Sequence, residues 1–272
     1  MRAQELKSWL QQYDLMPKKS FGQHFLCQES TLQEIARCVL GNKVLEIGPG
    51  PGCLTVYLLQ NPDRELIVVE KDPRFQAILH ARAPRAQWIC ADALNLDWSA
   101  YTGFSVASNL PYNISVPLML QYVQNARHLG PAVFMMQKEV ADRITAQTST
   151  KDYGRLSVMV QTFMDIQWVV DVPPAAFWPK PLVDSAVLML TPKKPWPEVS
   201  FPRLSSLVAQ AFANRRRMLH HNVRTTPETW VASGIDSRRR AETLSTAEFA
   251  ILWQAISNHI LLQKESSHVD AG

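Results

Sequence analysis

Residues 43–52 read Lys43-Val44-Leu45-Glu46-Ile47-Gly48-Pro49-Gly50-Pro51-Gly52, and this stretch predicts the architecture around it. Its first half is an apolar run of strand length, and its second half is a glycine turn. After the turn, Leu54, Tyr57 and Leu58 follow at helical spacing. A strand, a glycine turn and a helix in that order are typical of a parallel α/β sheet that holds a ligand at the turn.

Further strand-like segments follow, and helical stretches separate most of them. They lie at residues 66–70, 88–90, 104–108 and 132–137. This alternation predicts a parallel, doubly wound sheet. Two later segments, 166–172 and 186–190, predict an antiparallel pair at its edge. Before the glycine turn a helix is predicted to begin at Ser30, because Ser30 and Gln33 have the spacing of a capping box.

A domain boundary is predicted where four prolines crowd one short stretch, at positions 192, 195, 197 and 202. Proline interrupts helices and central strands alike. We therefore expect a Rossmann-like domain with an N-terminal helical extension over residues 1–195. Apolar stripes at helical spacing farther on, such as Leu204, Leu207 and Val208, predict a small all-helical domain over residues 196–272.

The composition is that of a globular chain: 46% of the 272 residues are hydrophobic and 19% are charged. No apolar stretch approaches the length of a membrane span, and the first twenty residues lack an unbroken apolar run, so a cytoplasmic protein is expected. The four cysteines, Cys27, Cys38, Cys53 and Cys90, are too widely spaced for a paired-cysteine metal site or a dense disulfide framework. We predict no bound metal.

Basic residues outnumber acidic ones, 28 to 24, which gives a net charge of +4. Lys18 and Lys19 precede the glycine motif, and Arg215, Arg216 and Arg217 form a run near a helix end. Such groups either contact the phosphates of a nucleic acid or belong to a solvated surface. The charge pattern alone leaves both interpretations open, and the family resemblance described below leads us to predict that these five residues bind RNA.

Two acidic residues are placed to bind a nucleoside beside the glycine turn. Glu70 ends the second predicted strand, 22 positions after Gly48, where a carboxylate can accept hydrogen bonds from ribose hydroxyls. Asp92 lies just past the third strand, where its carboxylate could accept a hydrogen bond from an adenine amino group. The G-x-G-x-G spacing departs from the G-x-G-x-x-G of dinucleotide binders. The combination suits S-adenosylmethionine (AdoMet), which carries adenosine without phosphate.

The fourth strand ends in Ser108-Asn109-Leu110-Pro111-Tyr112-Asn113. This Asn-x-Pro-aromatic tetrad resembles the catalytic motif of AdoMet-dependent methyltransferases that act on adenine N6. With other stretches it resembles the KsgA family, bacterial enzymes that dimethylate adjacent adenosines near the 3′ end of 16S ribosomal RNA. The likeness covers nearly the whole chain and rests mainly on residues 21–26, 48–55, 109–115, 137–140, 153–158, 173–177, 183–187, 212–217, 234–236 and 240–242.

The resemblance implies a Rossmann-like AdoMet-dependent methyltransferase sheet, an α/β fold, followed by a small C-terminal all-helical domain. It also implies roles for individual residues. Many relatives have asparagine where this chain has His24, and either side chain can form a hydrogen bond. By this analogy His24 and Leu26 close over the methionine end of AdoMet, Gly48 lines it, Glu70 holds the ribose, Asp92 the adenine, and Asn109 bridges cofactor and substrate.

Adenine N6 is a poor nucleophile because its lone pair is delocalised into the ring. Methyl transfer therefore requires a change in the geometry of this nitrogen. If the Asn109 side-chain oxygen and the Leu110 carbonyl accept the two N6 hydrogens, the nitrogen is drawn toward tetrahedral geometry. Pro111 favours an extended Leu110. Tyr112 is predicted to stack on the extruded base, and the resemblance places Phe177 over its other face.

The resemblance therefore implies an AdoMet-dependent rRNA adenine-N6,N6-dimethyltransferase that acts on 16S rRNA within the small ribosomal subunit and has a role in its biogenesis. The enzyme is expected to be monomeric and to have no membrane association. Two alternatives stay open within this interpretation: a resistance-type methyltransferase of 23S rRNA and a non-catalytic ribosome-assembly factor. A DNA adenine methylase is a further alternative.

Overall fold

The computed structural model describes residues 3–18 and 22–269. The chain forms two compact units. The first comprises residues 1–141 and 164–192, and the second comprises residues 142–163 and 193–272. In the described residues, no helix is both long enough and apolar enough to cross a membrane.

A seven-stranded sheet forms the centre of the first unit, and a two-stranded sheet accompanies it. In chain order the strands are β1 (Phe25–Leu26), β2 (Lys43–Ile47), β3 (Glu65–Glu70), β4 (Gln87–Cys90), β5 (Ser105–Asn109), β6 (Ala132–Gln137), β7 (Met164–Val172), β8 (Phe177–Trp178) and β9 (Ser185–Pro192). The large sheet has the order β4-β3-β2-β5-β6-β9-β7, and β1 pairs with β8.

Strands β4, β3, β2, β5 and β6 run parallel, and β9 and β7 add an antiparallel edge as predicted. The central strands are mostly apolar because helices cover both faces of such a sheet. In β2, Val44, Leu45 and Ile47 are at most 1% exposed. The predicted alternation of strands and helices is confirmed.

The helices of the first unit are α1 (Ala3–Gln12), α2 (Glu29–Cys38), α3 (Thr55–Leu58), α4 (Gln76–Arg82), α5 (Ser115–Asn125) and the first half of α6 (Lys138–Thr145). The predicted capping box at Ser30 is wrong. Helix α2 begins one residue earlier, with Gln28 at the N-cap, and Gln33 donates its hydrogen bond to the Glu29 side chain. Both residues lie within the first turn and a half of the helix, where Ser30 cannot occupy the capping position.

The strand order reverses between β2 and β5, which are neighbours in the sheet but not in the chain. Connections leave these two strands in opposite directions, and a crevice opens at their carboxyl ends. The Ser108 hydroxyl donates a 2.6 Å hydrogen bond to the Ile47 carbonyl and ties the strands together at this point. Strand β5 extends one residue beyond the predicted segment, so that Asn109 is its last residue.

The second unit is helical. It contains the end of α6, then α7 (Arg155–Phe163), α8 (Phe201–Ala211), α9 (Leu219–Asn222), α10 (Pro227–Ser233) and α11 (Thr246–Val269). The division departs from the predicted boundary because residues 142–163 belong to this unit. The Tyr153 hydroxyl donates to the Leu244 carbonyl at 2.8 Å, and the Phe163 ring packs 5.5 Å from that of Phe201. These contacts join residues that are distant in the chain.

Candidate active site

A cavity of about 150 Å³ opens at the carboxyl ends of the central parallel strands. It brings together most of the predicted site residues from separate strands. The lining comprises Gly22, Gln23, His24, Phe25, Gly48, Gly50, Glu70, Lys71, Asp92, Leu94, Asn109, Leu110, Pro111, Tyr112, Asn113 and Ile114.

The glycine turn after β2 requires glycine at two positions in this wall. Gly48 and Gly50 have φ angles of 67° and 54°. These values lie in the left-handed region, which residues with a Cβ atom rarely adopt. At Gly50 a Cβ atom would lie 2.9 Å from the Phe25 ring. A bare backbone therefore forms this wall of the cavity, as predicted from the sequence.

Glu70 at the end of β3 is tied to the glycine turn. Its Oε2 atom accepts a 3.0 Å hydrogen bond from the Gly50 amide, and its Oε1 atom accepts one of 2.9 Å from the Asp72 amide. Burial raises the pKa of Glu70 above its ordinary value, and these two amides oppose the shift. The carboxylate is thus held in a fixed orientation at the cavity wall.

Asp92 is already paired with a cation. Its Oδ2 atom lies 2.7 Å from the ammonium group of Lys71, and its Oδ1 atom accepts a 3.1 Å hydrogen bond from the Leu94 amide. The hydrogen bond from Lys71 lowers the pKa of Asp92 below its ordinary value. A nucleoside that reaches Asp92 therefore meets an ion pair rather than an isolated carboxylate.

Two hydrogen-bond acceptors lie side by side in the chain at the end of β5. The Asn109 side-chain nitrogen donates a 3.0 Å hydrogen bond to the His24 carbonyl, so that the side-chain oxygen is left to accept. The Leu110 amide donates to the Met135 carbonyl at 2.9 Å. Within residues 3–18 and 22–269, no group donates to the Asn109 side-chain oxygen or to the Leu110 carbonyl. Two acceptors are thus available at the cavity wall.

Tyr112 is fixed at both ends of its side chain. Its hydroxyl forms a 2.8 Å hydrogen bond with the Ser185 hydroxyl, and its ring stacks on His24 with 5.6 Å between ring centroids. Burial raises the pKa of the Tyr112 phenol above its ordinary value. The His24 ring is itself held by a 2.8 Å hydrogen bond between Nδ1 and the Pro179 carbonyl.

Two of the predicted catalytic and cofactor-binding residues do not line this cavity. Leu26 is 2% exposed and borders a smaller space behind the glycine turn, together with Gly48 and Asn109. Phe177 is 4% exposed and pairs with Leu26 across the two-stranded sheet, where its ring packs into the core. Stacking of Phe177 on a substrate base stays a prediction, and it requires the ring to leave this packing.

A buried carboxyl group lies beneath the site. Glu46 on β2 is 2% exposed, and its Oε2 atom has no hydrogen-bond partner among the described residues. Burial raises the pKa of Glu46 to about 8. Burial therefore favours the neutral form of this carboxyl in the folded protein.

The predicted RNA-binding residues differ in their surroundings. Arg215 in the second unit contacts Glu242 at 2.6 Å and donates to the Thr150 carbonyl at 2.8 Å, which favours a structural role. Arg216 and Arg217 are exposed, and their side chains form no ion pair with the described residues. Lys18 is exposed in the first unit, and Lys19 lies outside the described residues.

Sequence reasoning missed two residues that orient this site. Lys71 pairs with Asp92, and Ser185 holds the hydroxyl of Tyr112. Lys71 directly follows Glu70, which was a signal that a cation adjoins the predicted acidic pair. Ser185 lies in one of the stretches that carry the family resemblance, but no local signal indicates its partner, which is 73 positions away in the chain.

Comparison with known proteins gives one consistent family. A sequence model described as ribosomal RNA adenine dimethylase matches residues 15–258. The ribosomal RNA small subunit methyltransferase A of Legionella pneumophila (strain Corby) is 42% identical over 254 residues, which are 89% of this chain and 98% of the relative. The protein of the same name from Laribacter hongkongensis is 42% identical over 249 residues, 87% of this chain and 95% of the relative.

Two solved structures are also similar. A dimethyladenosine transferase from Plasmodium falciparum has a TM-score of 0.74 and 26% identity, and the match covers 84% of this chain and 96% of that one. The 23S rRNA methyltransferase ErmE has a TM-score of 0.64 and 25% identity, and the match covers 86% of this chain and 99% of that one. Each match covers more of this chain than the first unit comprises, so each extends into the helical unit.

Proposed function

The chain belongs to the ribosomal RNA adenine dimethylase family, and we propose that it places two methyl groups on N6 of each of two adjacent adenosines near the 3′ end of 16S rRNA. It is an AdoMet-dependent methyltransferase of ribosomal RNA. We also propose which residues of this chain act on these nucleotides. It also includes a role in biogenesis of the small subunit, the particle named in the relatives' descriptions.

The available acceptors at the end of β5 carry the proposal. An amino group on a purine offers two hydrogens, and the Asn109 side-chain oxygen and the Leu110 carbonyl supply two acceptors on consecutive residues. Both residues line the same cavity as the acidic groups. This arrangement suits a neutral exocyclic amine better than a hydroxyl, which has only one hydrogen to donate.

The other side of the cavity fits AdoMet by its chemistry. The charged side chains that line it are Glu70, Asp92 and Lys71. Lys71 is already paired with Asp92. Carboxylates accept hydrogen bonds from ribose hydroxyls and from an adenine amino group, but they repel a pyrophosphate. Gly48 leaves space beside them because it has no side chain. We assign the ribose to Glu70 and the adenine to Asp92.

AdoMet supplies an activated methyl group on a positively charged sulfur. The protein residues orient the amine that receives it. Asn109 and Leu110 each accept one N6 hydrogen, which turns the nitrogen lone pair out of the purine plane. Asn109 is suited to this role because its hydrogen bond to the His24 carbonyl fixes the amide. Tyr112 supplies an aromatic ring beside the acceptors, held by Ser185.

Primer extension on small subunits tests this function most simply, since dimethylated adenosine blocks reverse transcriptase at the Watson–Crick edge. The subunits come from a strain that lacks its own enzyme of this family, and they are incubated with AdoMet and the purified protein. We expect new stops at two adjacent adenosines near the 3′ end of 16S rRNA. An Asn109→Ala variant serves as the control and should produce no stops.

The same experiment separates the alternatives. Stops in 23S rRNA from large subunits, with none in 16S rRNA, would favour the resistance-type activity. Absence of methylation on both RNAs, together with restored subunit assembly in the deficient strain, would favour a non-catalytic assembly factor. The names of the sequence relatives support the small subunit as the substrate.

A further inference from the structure

The loop between β8 and β9 carries the most exposed large hydrophobic side chain among the described residues. Leu182 is 101% exposed, and its neighbour Val183 is 44% exposed. An exposed leucine is common in globular proteins and needs no explanation by itself. Leu182 is of interest because its loop is attached to residues of the active site.

Both ends of the loop are attached to residues that line the active-site cavity. The Pro179 carbonyl lies 2.8 Å from the His24 ring nitrogen, and the Ser185 hydroxyl lies 2.8 Å from that of Tyr112. Leu182 is three positions from Pro179 and three from Ser185. At about 3.3–3.6 Å per residue, its backbone therefore lies within about 11 Å of each attachment point.

The loop presents its tip in a defined conformation. Prolines at 179 and 181 restrict the backbone, and Pro181 is buried. The Asp184 carbonyl accepts a 2.9 Å hydrogen bond from the Lys138 amide at the other end of the tip. A loop backbone held in this way loses little freedom when it meets a partner, which favours binding.

The charge on the loop argues against a simple phosphate-binding role. Lys180 and Asp184 are both exposed, so the charges on the two sides of the tip cancel. The group that distinguishes the tip is apolar. Nucleic-acid-binding proteins use apolar side chains of this kind, leucine among them, as wedges between stacked bases.

Reaction at this site requires the target adenine to be extruded from the RNA base stack. Leu110 is 1% exposed, so an adenine that reaches its carbonyl must leave the stack of neighbouring bases and enter the cavity. Extrusion leaves an unfilled apolar gap beside the bases that remain. A leucine near the rim can occupy this gap and oppose return of the base.

We propose that Leu182 is a positioning residue that inserts into the RNA stack vacated by the target adenosine. The inference rests on the proposed function, because it assumes an RNA adenosine as the substrate. Val183 extends the apolar surface on one side, and Leu182 makes the contact with the bases.

The test compares Leu182→Ala with Leu182→Met, which keeps the apolar bulk. Single-turnover methylation of small subunits should slow by about tenfold or more in Leu182→Ala, because three buried carbon atoms are lost from the contact. Leu182→Met should stay close to the wild type. Val231→Ala in the second unit removes another exposed side chain (82%) and serves as the matched control. All variants should keep the melting temperature of the wild type.

A second measurement reports base extrusion directly. RNA hairpins of the methylated segment carry 2-aminopurine at the target position, whose fluorescence rises when the base unstacks. We expect Leu182→Ala to reduce this rise at saturating protein and AdoMet. Equal fluorescence and equal rates in Leu182→Ala and wild type would overturn the proposal while the wild type still methylates. Weaker binding with an unchanged rate in the bound complex would also overturn it, since Leu182 would then be a docking contact. Failure of the wild type to methylate any RNA would instead contradict the proposed function.

Discussion

The side-chain nitrogen of Asn109 donates a 3.0 Å hydrogen bond to the backbone carbonyl of His24. This bond joins the end of β5 to a segment 85 positions earlier in the chain. Because the nitrogen is engaged, the oxygen of the same amide is left to accept, and we propose that it accepts a hydrogen from the substrate. The relationship explains how an ordinary asparagine at a strand end becomes a fixed acceptor, and it implies that the His24 segment supports the transfer through its backbone.

Replacement of Glu70 by alanine should weaken AdoMet binding by at least about tenfold. The variant loses the predicted hydrogen bonds to the ribose, and hydrogen bonds to a charged group are worth about 1.5–3 kcal/mol each. It also releases the Gly50 amide, which forms part of the same wall. Isothermal titration calorimetry measures the affinity.

The control for this prediction is Glu65→Ala, which removes an exposed carboxylate from the opposite end of β3. We expect its affinity for AdoMet to equal that of the wild type. If a folded Glu70→Ala protein binds AdoMet as tightly as Glu65→Ala does, the assignment of Glu70 to the ribose is wrong.

Tyr112 should contribute unequally to the two methyl transfers. The first transfer uses both acceptors, whereas the monomethylated amine has one hydrogen left and depends more on stacking for its orientation. Tyr112→Ala should therefore accumulate N6-monomethyladenosine relative to the dimethyl product. Tyr112→Phe removes only the bond to Ser185 and should keep a product ratio closer to that of the wild type.

Nucleoside mass spectrometry after single-turnover reactions separates the two products. An equal slowing of both transfers in Tyr112→Ala, without excess monomethyladenosine, would refute this division of labour. The assignment of the chain as a methyltransferase would stand.

The arginine run of the second unit should divide into RNA contacts and a structural contact. Each phosphate contact that is lost lowers the slope of log affinity against log salt by about one unit. Arg216→Ala and Arg217→Ala should each flatten the slope for small-subunit binding. Arg215→Ala should leave the slope nearly unchanged, because its side chain is engaged by Glu242 and Thr150.

Filter binding over a range of salt concentrations measures these slopes. A wild-type slope in the Arg216→Ala/Arg217→Ala double variant would show that neither residue contacts RNA phosphates. A flattened slope in Arg215→Ala would show that this residue exchanges its internal partners for a phosphate.

Glu46 should make the folded state less stable as the pH rises. In the unfolded chain this carboxyl ionises near its ordinary pKa of 4.5, whereas in the folded protein its pKa is raised to about 8. Unfolding between these values releases a proton, so higher pH favours unfolding until the folded-state pKa is passed. The stabilising contribution is complete below the lower value and is lost as the pH rises toward about 8.

Glu46→Gln removes this titration while keeping the size of the side chain. From about pH 5 to about pH 8, the melting temperature of the wild type should fall relative to that of Glu46→Gln, and the difference should level off above that range. The exposed carboxylate variant Glu65→Gln should follow the wild type. A constant difference between wild type and Glu46→Gln at every pH would show that Glu46 does not titrate in this range.

Local sequence signals could predict the sheet and the glycine turn, because strand length, apolar runs and glycine punctuation all lie within short stretches. The same signals located Glu70 at the end of β3, Asp92 just past the end of β4 and Asn109 at the end of β5, all at one edge of the sheet. They could not predict the bond between Tyr112 and Ser185, which joins residues 73 positions apart. Local signals also could not predict the burial of Phe177, because it depends on pairing with Leu26 in a separate small sheet.

The most direct test of the account is nucleoside mass spectrometry of unmethylated small subunits after a single turnover with wild type and with Asn109→Ala. The wild type should yield N6,N6-dimethyladenosine, and Asn109→Ala should form methylated adenosine at least about a hundredfold more slowly, because one oriented polar group at a reacting centre contributes about 10²–10³ in rate. Circular dichroism confirms that the variant is folded. Dimethyladenosine formed by Asn109→Ala at the wild-type rate would contradict the central claim that the acceptors at the end of β5 orient the target amine.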